Sequence, residues 1–337
     1  MKKIIGILLC AALLVTMFAS CGGGSKATSL QGAKVGVCIY KFDDNFMTLY
    51  RTELEKYLKE KGAASVSVMD GKNDQAEQTN QINNFITQGV DLLIINLVQS
   101  SSASQIADIV HAKGVPTVFI NREPDKAEQD RWVANNMKCT YVGADASQSG
   151  TFQGEIVTEL PDKGDVNGDG VINYIMVMGD PENVDAQLRT EYSVKALTDA
   201  GLAVNLLDQQ RGDWDQARGQ EIVANDLTAY GNDVEVVFCN NDAMAMGALQ
   251  AIESAGRTVG TDIYLLGVDA LAEACTAILD GRMTGTALND HFGQSHKAAD
   301  VGDMFLKGEK VDPYYRVDYM KVTKDTAQQV LDLLGVK

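Results

Sequence analysis

The chain is 337 residues long, 45% hydrophobic and 22% charged, with a formal net charge of −17. That length suits two domains better than one, and the apolar share is that of a globular core, which excludes intrinsic disorder. The acid excess argues against nucleic acid or an anionic lipid surface as a partner.

Lys2 and Lys3 precede an apolar run from Ile4 to Phe18, and Ala19, Ser20 and Cys21 follow it. This is the layout of a secretory signal peptide covering residues 1–20, and the run is shorter than the about 20 residues a membrane-spanning helix needs. Small residues directly before a cysteine, with Gly22, Gly23 and Gly24 behind it, resemble a bacterial lipobox in which Cys21 becomes the lipidated N-terminus. Phe18 stands where such motifs usually carry leucine. Residues 21–33 then read as a lipidated cysteine and a flexible tether. The expectation is a chain secreted across the cytoplasmic membrane, at the cell surface or in the periplasm, touching a membrane only through its anchor.

From Lys34 onward, short β-branched or apolar runs alternate with amphipathic segments, the pattern of parallel βαβ units. The strands predicted first are Val35 to Ile39, Val66 to Met69, Leu92 to Ile95 and Thr117 to Ile120. After Tyr141 to Gly143 the alternation restarts with Ile172 to Met178, Val204 to Leu207, Val234 to Phe238, Ile263 to Val268 and Thr284 to Leu288. Helices are predicted between them, for example Gln75 to Gln88 and Gln216 to Ala229, closing near Gly89 and Gly231. Two successive parallel sheets predict an α/β fold of two Rossmann-like lobes. Right-handed crossovers place the strand-to-helix loops at the carboxyl edge of each sheet, where open α/β sheets bind ligands.

The residues just after the strands share one chemistry. Lys41 to Phe46 follow the first strand and Asn121 to Pro124 the fourth; later come Asp185 and Arg189, Trp214, Asn240 to Asp242, Asp269, and Asn289 with Asp290. Carboxylates, amides and a guanidinium match vicinal hydroxyls, which both donate and accept. Phe46 and Trp214 could each cover one apolar face of a sugar ring. Taken singly, Asp44 and Asn241 read equally well as helix N-caps. Neither half holds the whole set, so a ligand would bridge the lobes and closure would follow binding.

Cys38, Cys139, Cys239 and Cys275 have neither zinc-ribbon nor redox-pair spacing and read as free structural thiols. His111, His291 and His296 show no metal spacing. No nucleophile elbow, Walker loop, zincin helix or dinucleotide fingerprint is present, so no enzyme is expected.

At these residues the chain resembles the periplasmic galactose/glucose-binding proteins of ABC sugar transport, a family with the type I periplasmic binding protein fold. The stretches that carry the resemblance are Lys41 to Phe46, Asn240 to Gly247, Gly267 to Leu271 and Leu288 to Asp290. The resemblance implies that Asp44 and Asn121 bind hydroxyls from the N-terminal lobe. Asp185, Arg189, Asn241, Asp269 and Asn289 would do so from the other side, with Phe46 and Trp214 as the sandwiching rings. Asn183 stands where the family has a sugar-binding histidine. A three-strand hinge is implied too, giving residues 34–143 plus 290–317 as one lobe and 144–289 plus 318–337 as the other. The implied partners are a monosaccharide, D-glucose or D-galactose, and an ABC permease, with the protein acting as a monomer.

Asp165, Asn167, Asp169 and Asn173 alternate around Gly170 at the sixth position, as in an EF-hand loop, with Val171 offering its carbonyl to calcium. The twelfth position is Met176, and resemblance to the family points to Glu235 for the missing carboxylate. Three rival readings remain. A repressor of the same lobe architecture would need a helix-turn-helix before Lys34. A chemoreceptor or sensor-kinase partner, or a binder of another hexose or a pentose, fits the same residues. A glycosidase would show turnover of bound sugar.

Overall fold

The computed structural model describes residues 26–336; the predicted signal peptide, Cys21 and residues 22–25 lie outside the described residues. The chain begins as five βα units: β1 (Lys34–Ile39), α1 (Asn45–Glu60), β2 (Ser65–Asp70), α2 (Gln75–Gln88), β3 (Leu92–Ile95), α3 (Ala103–Lys113), β4 (Thr117–Ile120), α4 (Lys126–Ala134), β5 (Cys139–Gly143) and α5 (Ala146–Thr158). A second series follows: β6 (Val171–Met178), α6 (Val184–Asp199), β7 (Ala203–Arg211), α7 (Gln216–Tyr230), β8 (Val236–Cys239), α8 (Asp242–Ser254), β9 (Tyr264–Leu266) and α9 (Ala272–Leu279). Last come β10 (Thr286–Leu288), α10 (His291–Lys307), β11 (Tyr314–Arg316), β12 (Met320–Val322) and α11 (Ala327–Leu333).

β1 to β5 form a parallel sheet in the order β11-β5-β4-β3-β1-β2, and β6 to β9 form a second in the order β7-β6-β8-β9. β10 pairs antiparallel with β12, and single bridges from Leu266 to Gly285 and from Asp269 to Leu288 join this ribbon to the second sheet. The chain thus passes between the sheets three times: between β5 and α5, between β10 and α10, and between β11 and β12. α10 packs against α1, β3 and β4, which places it with the first sheet.

The central strands of each sheet are buried on both faces. β3 and β4 are wholly buried apolar runs capped on one side by Phe85, Ile106 and Trp132 and on the other by Tyr50, Leu54 and Ala298. In the second lobe, α5 and α6 touch backbone to backbone: a Cβ on Gly150 would lie 2.8 Å from the Arg189 carbonyl oxygen. Only glycine permits that approach, and it sets the position of α6.

The structure departs from the sequence reading at several ends. The segment read as tether is docked from Ala27 onward, because Leu30 and Ala33 are apolar and buried. The Ala27 N–H donates to Asp91 Oδ1 at 3.1 Å and the Leu30 N–H to Asp303 Oδ1 at 2.6 Å. β7 continues to Arg211, past the expected Leu207, as a polar and largely exposed edge strand that slips register at Tyr174/Ile175. The four cysteines are free and buried, and burial pushes their thiols up. They are inert packing groups.

Candidate functional site

The loops at the carboxyl ends of the two sheets line a cavity between the lobes. All ten residues singled out from the sequence line it: Asp44, Phe46 and Asn121 from the first lobe, and Asn183, Asp185, Arg189, Trp214, Asn241, Asp269 and Asn289 from the second and its crossing segment. Tyr40, Met47 and Arg122 line it as well and were not singled out.

Several of these side chains do two jobs. Asp44 is the N-cap of α1, accepting the Met47 N–H through Oδ1 at 2.7 Å, while Oδ2 accepts from the Tyr40 hydroxyl at 2.6 Å. Asn183 caps α6 by accepting the Asp185 N–H at 3.0 Å, and Asn241 caps α8 by accepting the Met244 N–H at 3.0 Å. Capping and cavity lining therefore coexist, because the first turn of a helix that starts at a sheet's carboxyl edge points into the cleft.

Arg189 is the electrostatic centre. Its Nη1 donates to the Asn240 carbonyl at 2.7 Å and its Nη2 to the Tyr319 hydroxyl at 3.0 Å. Asp185 and Asp269 stand 3.8 and 3.9 Å from it. Arg189 Nε is buried without a partner, an orphan donor in a ring of acceptors. Burial raises the Asp185 carboxyl to about 6 against the opposing pull of Arg189, and pushes Asp269 well above the usual carboxylate range. The Asp269 carboxylate accepts from Asn289 Nδ2 at 3.1 Å, and Asn289 Oδ1 accepts from Gln294 at 2.6 Å, so both are fixed in place.

Three lining residues hold left-handed backbone: Asn121 at φ 61°, Trp214 at φ 67° and Asp269 at φ 119°. Such conformations cost of order 1–3 kcal/mol each and concentrate at functional sites. At Asn121 the geometry leaves Oδ1 accepting from Asn96 Nδ2 at 3.0 Å, so its own Nδ2 is the group left for a ligand. The Trp214 ring lies against Gly179, where a Cβ would come within 2.2 Å of it. Glycine there makes room for the ring.

Away from the cavity, the loop before β6 folds on its own acids. Asp165 accepts the N–H groups of Gly168, Asp169 and Gly170 at 2.9–3.1 Å. Asn167 Oδ1 accepts from Asp169 and Asp169 Oδ1 from Val171. Glu235, just ahead of β8 and 1% exposed, reaches the loop and accepts from the backbone of Asn167 at 2.9 Å and of Asn173 at 2.8 Å. Among the described residues no three His, Cys, Asp or Glu side chains form a metal-holding cluster. A cation here would therefore depend on the Asn167 and Asn173 amides and the Val171 carbonyl as well as on carboxylates.

Residues 35–310 match a family profile described as a periplasmic binding protein domain. A D-galactose/methyl-galactoside binding periplasmic protein of Haemophilus influenzae is 32% identical over 94% of this chain and 97% of its own length. A ribose import binding protein of Bacillus subtilis is 26% identical over 92% of this chain and 95% of its own. Among solved structures, an ABC transporter solute binding protein of Bacillus halodurans with bound myo-inositol superposes with a TM-score of 0.78 at 26% identity, covering 91% of this chain and 98% of that one.

Proposed function

The chain belongs to the periplasmic binding protein family, and we propose that it is the extracytoplasmic component of an ABC importer, closing its lobes around D-glucose or D-galactose. The lining of the interlobe cavity carries this reading: paired acceptors and donors from both lobes around one unpartnered Arg189 Nε, with Phe46 and Trp214 as flat apolar walls. Sugar hydroxyls would donate to Asp44, Asp185 and Asp269 and accept from Arg189 and the amides of Asn121 and Asn183. D-galactose, ribose and myo-inositol, the ligands named for the three relatives above, are polyhydroxylated rings, which supports the class. Like them it is a transport component and not an enzyme. Calorimetry on the form starting after Cys21, against D-glucose, D-galactose, D-ribose and myo-inositol, should give saturable 1:1 binding tightest for one of the two hexoses. Tighter ribose or inositol would reassign the ligand, and no heat with any of the four would overturn the reading.

The Ala19-Ser20-Cys21 junction supports lipidation at Cys21. A single acyl chain binds marginally but several anchor firmly. Cys21→Ser should move the protein from the membrane fraction to the soluble one.

The loop at Asp165–Asn173 suits calcium, a hard cation that takes six to eight oxygens. The supporting observation is Glu235: a buried carboxylate that forms no ion pair among the described residues and whose two oxygens each keep a lone pair after accepting one N–H. Asp165, Asn167, Asp169, Val171 and Asn173 would supply the remaining oxygens. The ion would neutralise Asp165, Asp169 and Glu235 and tie β6 to β8.

A further inference from the structure

Arg122 lies in the loop after β4, on the first lobe, and is 3% exposed. Its guanidinium carbon stands 3.9 Å from the centroid of the Tyr40 ring, and Nη1 donates to the Val98 carbonyl. The same Nη1 is 3.4 Å from Oδ2 of Asp180, which follows β6 on the second lobe. Away from the crossing segments, this is the one ion pair that spans the lobes among the described residues; the others, Arg316 with Asp145 and with Asp318, sit at the crossings.

Both ends of the pair lead to cavity residues. Tyr40, under the Arg122 guanidinium, donates its hydroxyl to the Asp44 carboxylate at 2.6 Å. Asp180 opens the turn that starts α6: its carbonyl accepts the Asn183 N–H at 2.9 Å and its Oδ1 the Glu182 N–H at 3.1 Å. Arg211 Nη2, 3.5 Å away, holds Asp180 from its own lobe.

We propose that Arg122 and Asp180 are a closure latch: the pair forms as the lobes meet, holds the cleft shut, and through Tyr40 fixes Asp44 toward the ligand. This rests on the reading of the cavity as a sugar site. Arg122 acts here as a positioning residue. A guanidinium can lie flat on Tyr40 while its edge meets a carboxylate, which an ammonium cannot do. Because the contact needs closed lobes, its loss belongs in the dissociation rate rather than in encounter.

The test is stopped-flow fluorescence with D-glucose and D-galactose on Arg122→Ala, Arg122→Lys, Asp180→Asn and the double variant Arg122→Ala/Asp180→Asn. Dissociation should speed up on the order of tenfold in Arg122→Ala and in Asp180→Asn, with the double variant no faster than either, as for a coupled interfacial charge pair. In Asp180→Asn the association rates and the order of the two sugars should hold, and the dissociation rate of Arg122→Lys should fall between those of Arg122→Ala and the unmodified protein. Asp180→Asn is nearly isosteric and keeps its backbone contacts, so it separates the latch from folding. An unchanged dissociation rate in Asp180→Asn, with faster release in Arg122→Ala, would show that Arg122 acts only within its own lobe and would overturn the latch. If neither sugar binds the unmodified protein, the sugar assignment fails and ligand-free small-angle scattering decides the latch. The unmodified protein should then expand in molar salt and Asp180→Asn should already be expanded at low salt, while equal radii throughout overturn it.

Discussion

At Asn183 one amide is divided between the fold and the cavity. Its oxygen is committed to the Asp185 N–H, so only its Nδ2 remains to meet a hydroxyl, as a donor. Asn183→Asp keeps the cap and removes the donor; its melting temperature should hold while sugar affinity falls by about tenfold, whereas Asn183→Ala should also cost about 1 kcal/mol of stability as the cap is lost. Asn183→His should reorder glucose, galactose and their deoxy derivatives in calorimetry, since a ring reaches a hydroxyl from another angle. Asp185 gives a pH signature. Burial raises its folded carboxyl to about 6 from 3.8, so the folded chain holds the proton more tightly than the unfolded one and stability falls as pH rises through that window. Hydroxyls donated by a sugar favour the ionised form, so affinity should drop below about pH 6, and binding near pH 6 should release protons, read from calorimetry in buffers of different ionisation enthalpy. Asp44, Asp185 and Asp269 were legible because each follows a strand that its β-branched run betrays. Arg122 was not, since the partner that defines its role, Asp180, is distant in sequence and meets it only across the cleft.

α6 carries Asn183, Asp185 and Arg189 as a unit, and its height over the cleft is set by contact with α5 at Gly150 and Gly154. Gly150→Ala would drive a methyl into the Arg189 backbone, and overpacking of this kind costs about 1–3 kcal/mol. The variant should melt lower and bind sugar more weakly, while Gly89→Ala, where a Cβ meets nothing, should lower stability through its left-handed φ of 72° without touching the sugar site. The β6 to β8 connection offers a second check: excess chelator on protein shown to hold calcium should lower the melting temperature more than it lowers sugar affinity, and identical melting curves would remove calcium from the loop. Elements with strong apolar runs were readable from periodicity, down to the bounds of β3, β4 and α2. β11 and β12 were not, because three-residue strands are too short to show a period and exist only through the neighbours they pair with. Likewise the polar continuation of β7 is held by its ladder with β6 and not by any pattern of its own.

At the scale of the whole chain, two successive parallel sheets announce two lobes, but the return of α10 and β11 to the first sheet follows no periodicity and came only from the family resemblance. That threading matters for how ligand energy becomes shape. With three segments crossing between sheets, the lobes can hinge but not separate, and the cavity is complete only when both edges meet. A ligand held by both lobes binds the closed native form and not the unfolded chain, so it should stabilise by about 2.7 kcal/mol at a hundred times its Kd. Asp44→Ala is a poor probe alone, because it also uncaps α1 and lowers the starting melting temperature. Asp44→Asn and Asp269→Asn are better: each keeps one side-chain oxygen, for the Met47 cap at one site and the Asn289 contact at the other, and replaces the carboxylate with an amide, whose Nδ2 at position 44 would have to donate to the Tyr40 hydroxyl instead of accepting from it. One removes the charge from the first lobe and the other from the second. If the sugar bridges the lobes, either substitution alone should abolish most of the thermal shift, because a ligand gripped from one side leaves the cleft free to open. A full shift surviving in Asp44→Asn but lost in Asp269→Asn would mean that the second lobe binds alone and that closure adds nothing to affinity.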